Sequence, residues 1–528
     1  MSVSIFGLKK VFIHKQLCEG LIEIFSSTEV KLELTMRKRI FTAGIGLMMV
    51  ALSLAQCKPD IKATDIVENP ADLLPLATIK LDLGQKYQTI DGFGFFGAQD
   101  VWWGNAANMW SDAWGDKVIA DLGITIWRNE IYPPAIPGAN QDADWTKQLP
   151  VVRGLKAKAA QYNVPLKFVA TVWSPPADMK WASSFTWAGD ENAKRWQDLA
   201  VSTKNGGTLN PNKYNAFADF LHKHIQLYKD EGIDLYGLSL QNEPAFTQTF
   251  NSCTYTVSWY NELLNKTVPA IKAGFPALQI FGSENMLATE AKDNNLPWFY
   301  HTSLKGNAEA TAKVDILAVH GYNDGVLPTS GAELVKMWKN HTQHFAIPMN
   351  KRVWMSETSG YTDDWNISNG KPGAMSLGLD ILTALNYGNA SAWIWWQGSQ
   401  KNGIGDYNLM NGMITGKKYF VSKHYYRFIR PGAVRIGATF TTEMDDLFVT
   451  AYENTSKKTS TIVLINPGEA RAISLQGDTL PTEFNMYRSS AASNENCSLI
   501  GTIKSGIGNK FVLPENSIIT LQAGGNPL

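Results

Sequence analysis

The sequence predicts an α/β fold: a (β/α)8 barrel with an antiparallel β-sandwich side domain built from the C-terminus and a short N-terminal strand. Three observations lead there. Past residue 85, apolar β-rich runs alternate with amphipathic helical stretches. Polar or aromatic residues recur at the C-terminal ends of nearly all those runs, where a barrel would gather them into one pocket and an open sheet would splay them apart. After Arg430-Pro431-Gly432 the helical pattern gives way to short strands divided by turn residues.

The eight strands read as Thr89–Phe96, Ile124–Glu130, Leu166–Trp173, Leu235–Glu243, Leu278–Glu284, Val314–Gly321, Arg352–Thr358 and Ser391–Gln397. Helical spacing separates them, for example over Lys213–Tyr228, Ser258–Ala273, Gly331–His344 and Ala374–Asn386. The later strands read as Leu447–Ala451, Ser460–Ile465, Arg471–Leu475, Glu483–Tyr487 and Ile518–Leu521. Ala77–Leu83 is strand-like too and is expected to pair with them. The expected divisions are residues 1–57 as a start-site artefact plus export signal, 58–75 as a linker, 76–88 as the N-terminal strand of the side domain, 89–431 as the barrel and 432–528 as the C-terminal β domain.

The leader reading rests on Met36-Arg37-Lys38-Arg39, an apolar stretch from Ile40 to Ala55, and Leu54-Ala55-Gln56-Cys57. A basic start, a short apolar run and a cysteine resemble a bacterial lipoprotein signal with translation starting at Met36. The run is short of the roughly 20 residues a bilayer span needs; an N-terminal membrane anchor is the alternative. The expectation is an exported chain lipidated at Cys57, in the periplasm or as an outer-membrane or cell-surface lipoprotein of a bacterium, and monomeric.

Composition narrows the function. Lys+Arg and Asp+Glu each total 48, so the formal net charge is zero. That excludes the basic footprint of a nucleic-acid binder or a polybasic membrane-surface protein. Eighteen tryptophans suit sugar stacking as well as a core. Cys18, Cys57, Cys253 and Cys497 show no metal-ligand spacing, and a Cys253–Cys497 disulfide is conceivable in an oxidising compartment. No phosphate-binding loop, dinucleotide fingerprint or HExxH is present. No cofactor and no metal are expected.

Two strand ends carry the chemistry. One reads Leu238-Ser239-Leu240-Gln241-Asn242-Glu243-Pro244, the other Val353-Trp354-Met355-Ser356-Glu357-Thr358. Glycoside hydrolysis needs two carboxyl groups across the scissile bond, and the fourth and seventh strands of an eight-stranded barrel lie roughly opposite each other. Asp91, Glu130 and Glu284 are rival carboxylates in or at the ends of strands. The Asn-Glu-Pro context favours Glu243, since Asn242 can bond a sugar hydroxyl and Pro244 stops the strand.

Five motifs in order resemble those of glycoside hydrolase family 30. They are Ile90-Asp91-Gly92-Phe93-Gly94, Trp173-Ser174-Pro175-Pro176-Ala177-Asp178-Met179-Lys180, Gln241-Asn242-Glu243-Pro244, Trp354-Met355-Ser356-Glu357, and the run from Lys423 through His424, Tyr425, Tyr426 and Arg430 to Ile436. The resemblance extends from about residue 76 to the C-terminus. It implies a barrel fused to a side β domain and a retaining mechanism, with Glu243 as acid/base and Glu357 as nucleophile. It further implies Arg128 beside the nucleophile, Asn242 near the sugar 2-hydroxyl, and Trp173, His320, Tyr322 and Trp396 lining the pocket. Read singly, Arg128 would equally make a barrel-interior salt bridge, His320 a buried hydrogen bond and Trp396 a rim contact. Glucuronoxylanases of the family carry an arginine-rich loop after the eighth strand. Here Gln397–Gly405 holds one lysine and no arginine.

The function expected is therefore a retaining β-glycoside hydrolase cleaving plant-type polysaccharide such as xylan. A glucosylceramidase-like enzyme, or a β-1,6-galactanase or glucanase, exo or endo, is the alternative within the family. A non-catalytic surface glycan-binding lipoprotein is the alternative outside it, and it predicts the loss of a catalytic carboxylate that is present here.

Overall fold

The computed structural model describes residues 69–528 except 98–109, 132–141, 182–205, 249, 293–298, 323–330, 401–402, 507 and 527. The leader and Cys57 lie outside the described residues. No helix among them is long and apolar enough to cross a membrane.

Eight strands close into a parallel barrel. In chain order they are Gly92–Phe96, Ile126–Ile131, Lys167–Val172, Gly237–Ser239, Gln279–Met286, Ile316–Gly321, Arg352–Thr358 and Ala390–Trp395. Each pairs with its neighbours in sequence, and the eighth closes on the first through Ala392↔Gly92 to Trp395↔Phe95. The inner face is a small core of its own: Ile126, Val169, Phe281, Ile316, Ala318, Trp354, Ala392 and Ile394. Alternation along a strand therefore assigns inward positions. Arg128 and Glu130 share a face with Ile126, Thr171 with Val169, and His320 with Ala318.

The helices answer to their sequence patterns. Tyr214–Asp230 buries Tyr214, Phe217, Ala218, Leu221, Ile225 and Tyr228, the three-and-four spacing of one face. Val257–Gly274 starts where the Thr256 hydroxyl accepts from the Trp259 N–H at 3.2 Å, a side-chain N-cap. Ala374–Tyr387 is buried nearly all round because it sits between the barrel and the second sheet. A Cβ at Gly378 would stand 2.7 Å from Ile518 Cδ1 and 3.2 Å from Val421 Cγ1.

The second sheet has nine strands, ordered 498–504, 483–489, 517–524, 459–466, 448–454, 434–440, 76–89, 471–476 and 511–513. Leu76–Thr89 sits within it, antiparallel to Val434–Phe440 and parallel to Arg471–Gln476; every other pairing in the sheet is antiparallel. Its two faces bury into different cores. Ile462, Leu464, Ile519 and Leu521 join Ala77, Ile79 and Leu81 in the side-domain core. The alternate residues Val463, Ile465 and Ile518 join the barrel's outer core. The motif around Lys423–Ile436 makes the seam. His424 bonds Thr520 Oγ1 at 2.7 Å and Ser489 Oγ at 2.9 Å, while the Tyr426 hydroxyl donates to the Gly94 carbonyl at 3.1 Å.

Several expectations need correction. The N-terminal strand runs to Thr89, so the first barrel strand starts at Gly92 rather than Thr89. The fourth ladder ends at Ser239, not Glu243. Val434–Phe440, Ser498–Lys504 and Phe511–Leu513 are further strands. Cys253 and Cys497 are both buried and free, the first in the segment after the fourth barrel strand and the second beside the edge strand of the side sheet.

Candidate active site

The structure gathers Arg128, Trp173, Asn242, Glu243, His320, Tyr322, Glu357 and Trp396 at the C-terminal mouth of the barrel. Simple alternation does not put both glutamates there. On the seventh strand Trp354 points inward, so regular pleating would turn Glu357 outward. The register slips between Met355, paired with Val319, and Glu357, paired with His320. That extra residue is a bulge, which re-aims the side chains beyond it. Glu243 is aimed differently: it follows the end of its strand with φ at 45°, a left-handed backbone uncommon for a residue with a Cβ.

Arg128, fully buried, is the hub. Its Nε donates to Thr171 Oγ1 at 3.1 Å, Nη1 donates to Glu357 Oε2, and Nη2 donates to Asn242 Oδ1 and Glu284 Oε1, each at 3.0 Å. Burial opposes its charge, but Glu284 and Glu357 more than restore it, so its pKa is raised. The other oxygen of Glu357 accepts from the Tyr322 hydroxyl at 2.6 Å. The phenol is pushed well above its ordinary value by burial and by Glu357.

Glu243 accepts from Gln248 Nε2 at one oxygen and meets His320 Nδ1 at 3.0 Å with the other. Burial raises its pKa, and Glu357 adds to the rise against the pull of His320. For His320, burial disfavours the charge, but Glu357, Glu243 and Glu284 together push it up to about 9. Oxygens of Glu243 and Glu357 and a nitrogen of His320 all lie within 4.8 Å of one another. Such a trio has the donor types of a cation site. Here its oxygens already face Arg128, Tyr322, Gln248 and His320.

An aromatic cluster borders these groups. Phe96 stacks on Trp396 with centroids 4.3 Å apart and tilts against Trp173 at 5.3 Å. The Arg128 guanidinium lies 5.1 Å from the Trp173 ring centroid. Trp173 is buried, whereas Trp396 is half-buried.

The rival carboxylates part company. Asp91 is at the opposite end of the barrel, accepting from Arg352 Nη1 at 2.8 and 2.9 Å, Trp354 Nε1 at 2.9 Å and Ser391 Oγ at 2.9 Å. Glu130 is buried two residues beyond Arg128. Glu284 joins the site itself through Arg128 and His320. Sequence reasoning missed Gln248 and Thr171 as partners and kept Glu284 only as a rival. The first lies in a loop, and the last faces inward only through a second bulge.

Residues 139–397 match the model of the glycosyl hydrolase family 30 TIM-barrel domain. The glucuronoxylanase XynC of Bacillus subtilis (strain 168) is 26% identical over 402 residues, covering 75% of this chain and 79% of the relative. A putative glucosylceramidase 1 of Caenorhabditis elegans is 23% identical over 497 residues, covering 85% and 84%. Among solved structures, the glycoside hydrolase family 30 subfamily 8 xylanase Xyn30A of Clostridium acetobutylicum superposes with a TM-score of 0.64 at 23% identity, over 85% of this chain and all of that one; at that identity the likeness speaks to the fold. Residues 139–397 thus carry the match to the family 30 TIM-barrel domain, and the resemblance of the chain to these relatives supports glycosidase activity.

Proposed function

We propose that the enzyme is a retaining β-glycosidase with Glu357 as nucleophile and Glu243 as acid/base. The observation that carries this reading is that one oxygen of each carboxyl group lies within 4.8 Å of the other, in unlike settings. Retention uses carboxyl groups about 5–5.5 Å apart, whereas inversion leaves about 6.5–9.5 Å for a water. Arg128 and Tyr322 both donate to Glu357, which suits an anionic nucleophile. Burial raises the pKa of Glu243, which suits an acid protonated before turnover.

In the first step a Glu357 oxygen bonds to the anomeric carbon as the glycosidic C–O bond breaks, and Glu243 gives its proton to the leaving oxygen. In the second, Glu243 takes a proton from water as that water displaces Glu357. The carboxyl groups do this without a cofactor. Asn242, held by Arg128, is placed beside the acid for a sugar hydroxyl. Trp396, half-buried, is left open to the sugar, and the buried Trp173 packs against it and Phe96.

For the substrate we propose a plant-type polysaccharide such as xylan, supported by the glucuronoxylanase relative. The loop 397–405 has one lysine and no arginine, which argues for cleavage independent of an acidic branch. The glucosylceramidase relative supports a second reading, an exo-acting β-glucosidase. Product profiles on glucuronoxylan, unbranched xylan, β-1,6-glucan, β-1,6-galactan and an aryl β-glucoside decide. The proposal expects xylo-oligosaccharides from both xylans; glucose release from the β-glucoside with both xylans untouched would favour the second reading. Export as a lipoprotein anchored at Cys57, with the mature chain monomeric, belongs to the same proposal and rests on the basic, apolar and cysteine order of residues 36–57.

A further inference from the structure

Glu284 has a backbone and a set of partners that ordinary strand pairing would not give it. It lies on the fifth barrel strand, where the register slips between Ser283, paired with Ala318, and Asn285, paired with Val319. Its φ is 60°, a conformation that costs a residue with a Cβ about 1–3 kcal/mol unless its surroundings hold it. Phe281 on the same strand points into the barrel, so regular alternation would turn Glu284 outward. The bulge turns it in, and its side chain is 0% exposed. A single oxygen, Oε1, then meets Arg128 Nη2 at 3.0 Å and His320 Nε2 at 3.4 Å. Each of those two side chains also touches one member of the proposed catalytic pair: Arg128 bonds Glu357, and His320 bonds Glu243.

Resting on the assignment of Glu243 and Glu357 above, we propose that Glu284 is a positioning residue for both, holding the Arg128 fork against Glu357 and turning the His320 ring so that Nδ1 faces Glu243. The chemistry follows from the hydrogen bonds. The nitrogen of an imidazole that faces a carboxylate carries the proton, which leaves the other nitrogen to serve its neighbour. With Nε2–H donated to Glu284, Nδ1 of a neutral ring accepts from a protonated Glu243, and Nδ1–H of a charged ring donates to an ionised one. Either state of Glu243 along the reaction therefore keeps a partner without the ring flipping. This is the same logic by which a buried carboxylate orients a catalytic histidine elsewhere. The charged and titratable groups facing His320 are Glu243, Glu284 and Glu357, with Tyr322 just past the end of its own strand and Arg128 beyond Glu284. Three carboxylates around one ring account for its raised pKa; Glu284 reaches it from the side away from the reacting pair.

The test is nitrogen NMR on full-length enzyme carrying ring-labelled histidine, with the His320 signal identified by its loss in His320→Gln. In the wild type, Nε2 should carry a proton throughout pH 5–8. A His320 ring with bare Nε2 overturns the proposal, and this arm needs no variant at Glu284. In Glu284→Gln the His320 titration should move down by about one unit, since one of its facing anions is gone. On an aryl glycoside that the wild type cleaves, kcat should fall about 10²-fold, the scale of a reacting group displaced by ~1 Å, while KM stays. A folded Glu284→Gln enzyme with wild-type kcat and an unmoved His320 titration also overturns it. Full activity in Glu243→Gln and Glu357→Gln would instead overturn the assignment of the catalytic pair, and would leave the His320 result standing.

Discussion

Glu357 stands opposite His320 in the barrel ladder because the seventh strand carries one residue more than its neighbour between Met355 and Glu357. The slip places a carboxylate 3.9 Å from the imidazole and delivers its second oxygen to Arg128. The site therefore depends on a local break in regular pairing rather than on the pairing itself.

Arg128 should be the most sensitive position that does not itself react. Arg128→Gln leaves Glu284 and Glu357 buried without their cation, and breaking a buried ion pair in this way costs about 3–5 kcal/mol. Removing a transition-state donor adds a fall in kcat of about 10²–10³-fold. Denaturant titration and steady-state kinetics on an aryl glycoside check both.

Asp91 should matter for stability and not for turnover. Its pKa is lowered: burial opposes ionisation, but Lys167, Arg352, Trp354 and Ser391 outweigh it. A carboxylate with a depressed folded pKa contributes stability that is full above its unfolded value, near 3.9, and that fades as pH falls through the folded value. Asp91→Asn should therefore cost about 1–3 kcal/mol at neutral pH, with the difference from wild type shrinking below about pH 4. The same variant should keep kcat/KM, because Asp91 lies at the far end of the barrel. Thermal unfolding at several pH values, beside an activity assay, reads both.

The seam between barrel and side sheet should behave as core. Ile518 is fully buried and lies against Gly378 on the helix beneath it. Ile518→Ala should destabilise by about 2–5 kcal/mol, visible as a lower denaturant midpoint, with kcat unchanged in the folded enzyme.

Much of this was legible in the sequence, and the exceptions are physical. Runs such as Val353–Met355 and Ser391–Trp395 are buried on both faces, so they read as continuous apolar strands. The glutamate of Asn242-Glu243-Pro244 sits at the barrel mouth, as its context suggests, but four residues beyond the end of its strand. Register is another matter. Nothing in Phe281-Gly282-Ser283-Glu284 marks the bulge, which depends on the neighbouring strand, so Glu284 looked like one more strand-end carboxylate. Gln248 reaches Glu243 from a loop whose path has no periodicity to read. The edge strand Ser498–Lys504 is mostly exposed and lacks the alternation that betrays a half-buried strand. Phe511–Leu513 is too short to show one.

The central claim is double displacement with Glu357 attacking and Glu243 serving as acid and then base. The most direct measurement is the anomeric configuration, by NMR, of the azide adducts formed by the two glutamine variants on an activated aryl β-glycoside that the wild type cleaves. Without its nucleophile, Glu357→Gln should turn over only with azide and give the inverted, α-glycosyl azide. Glu243→Gln should form the glycosyl-enzyme, stall for want of a base, and give the β-glycosyl azide of retained configuration. The opposite pattern would exchange the two roles, and full activity in both variants without azide would contradict the account altogether.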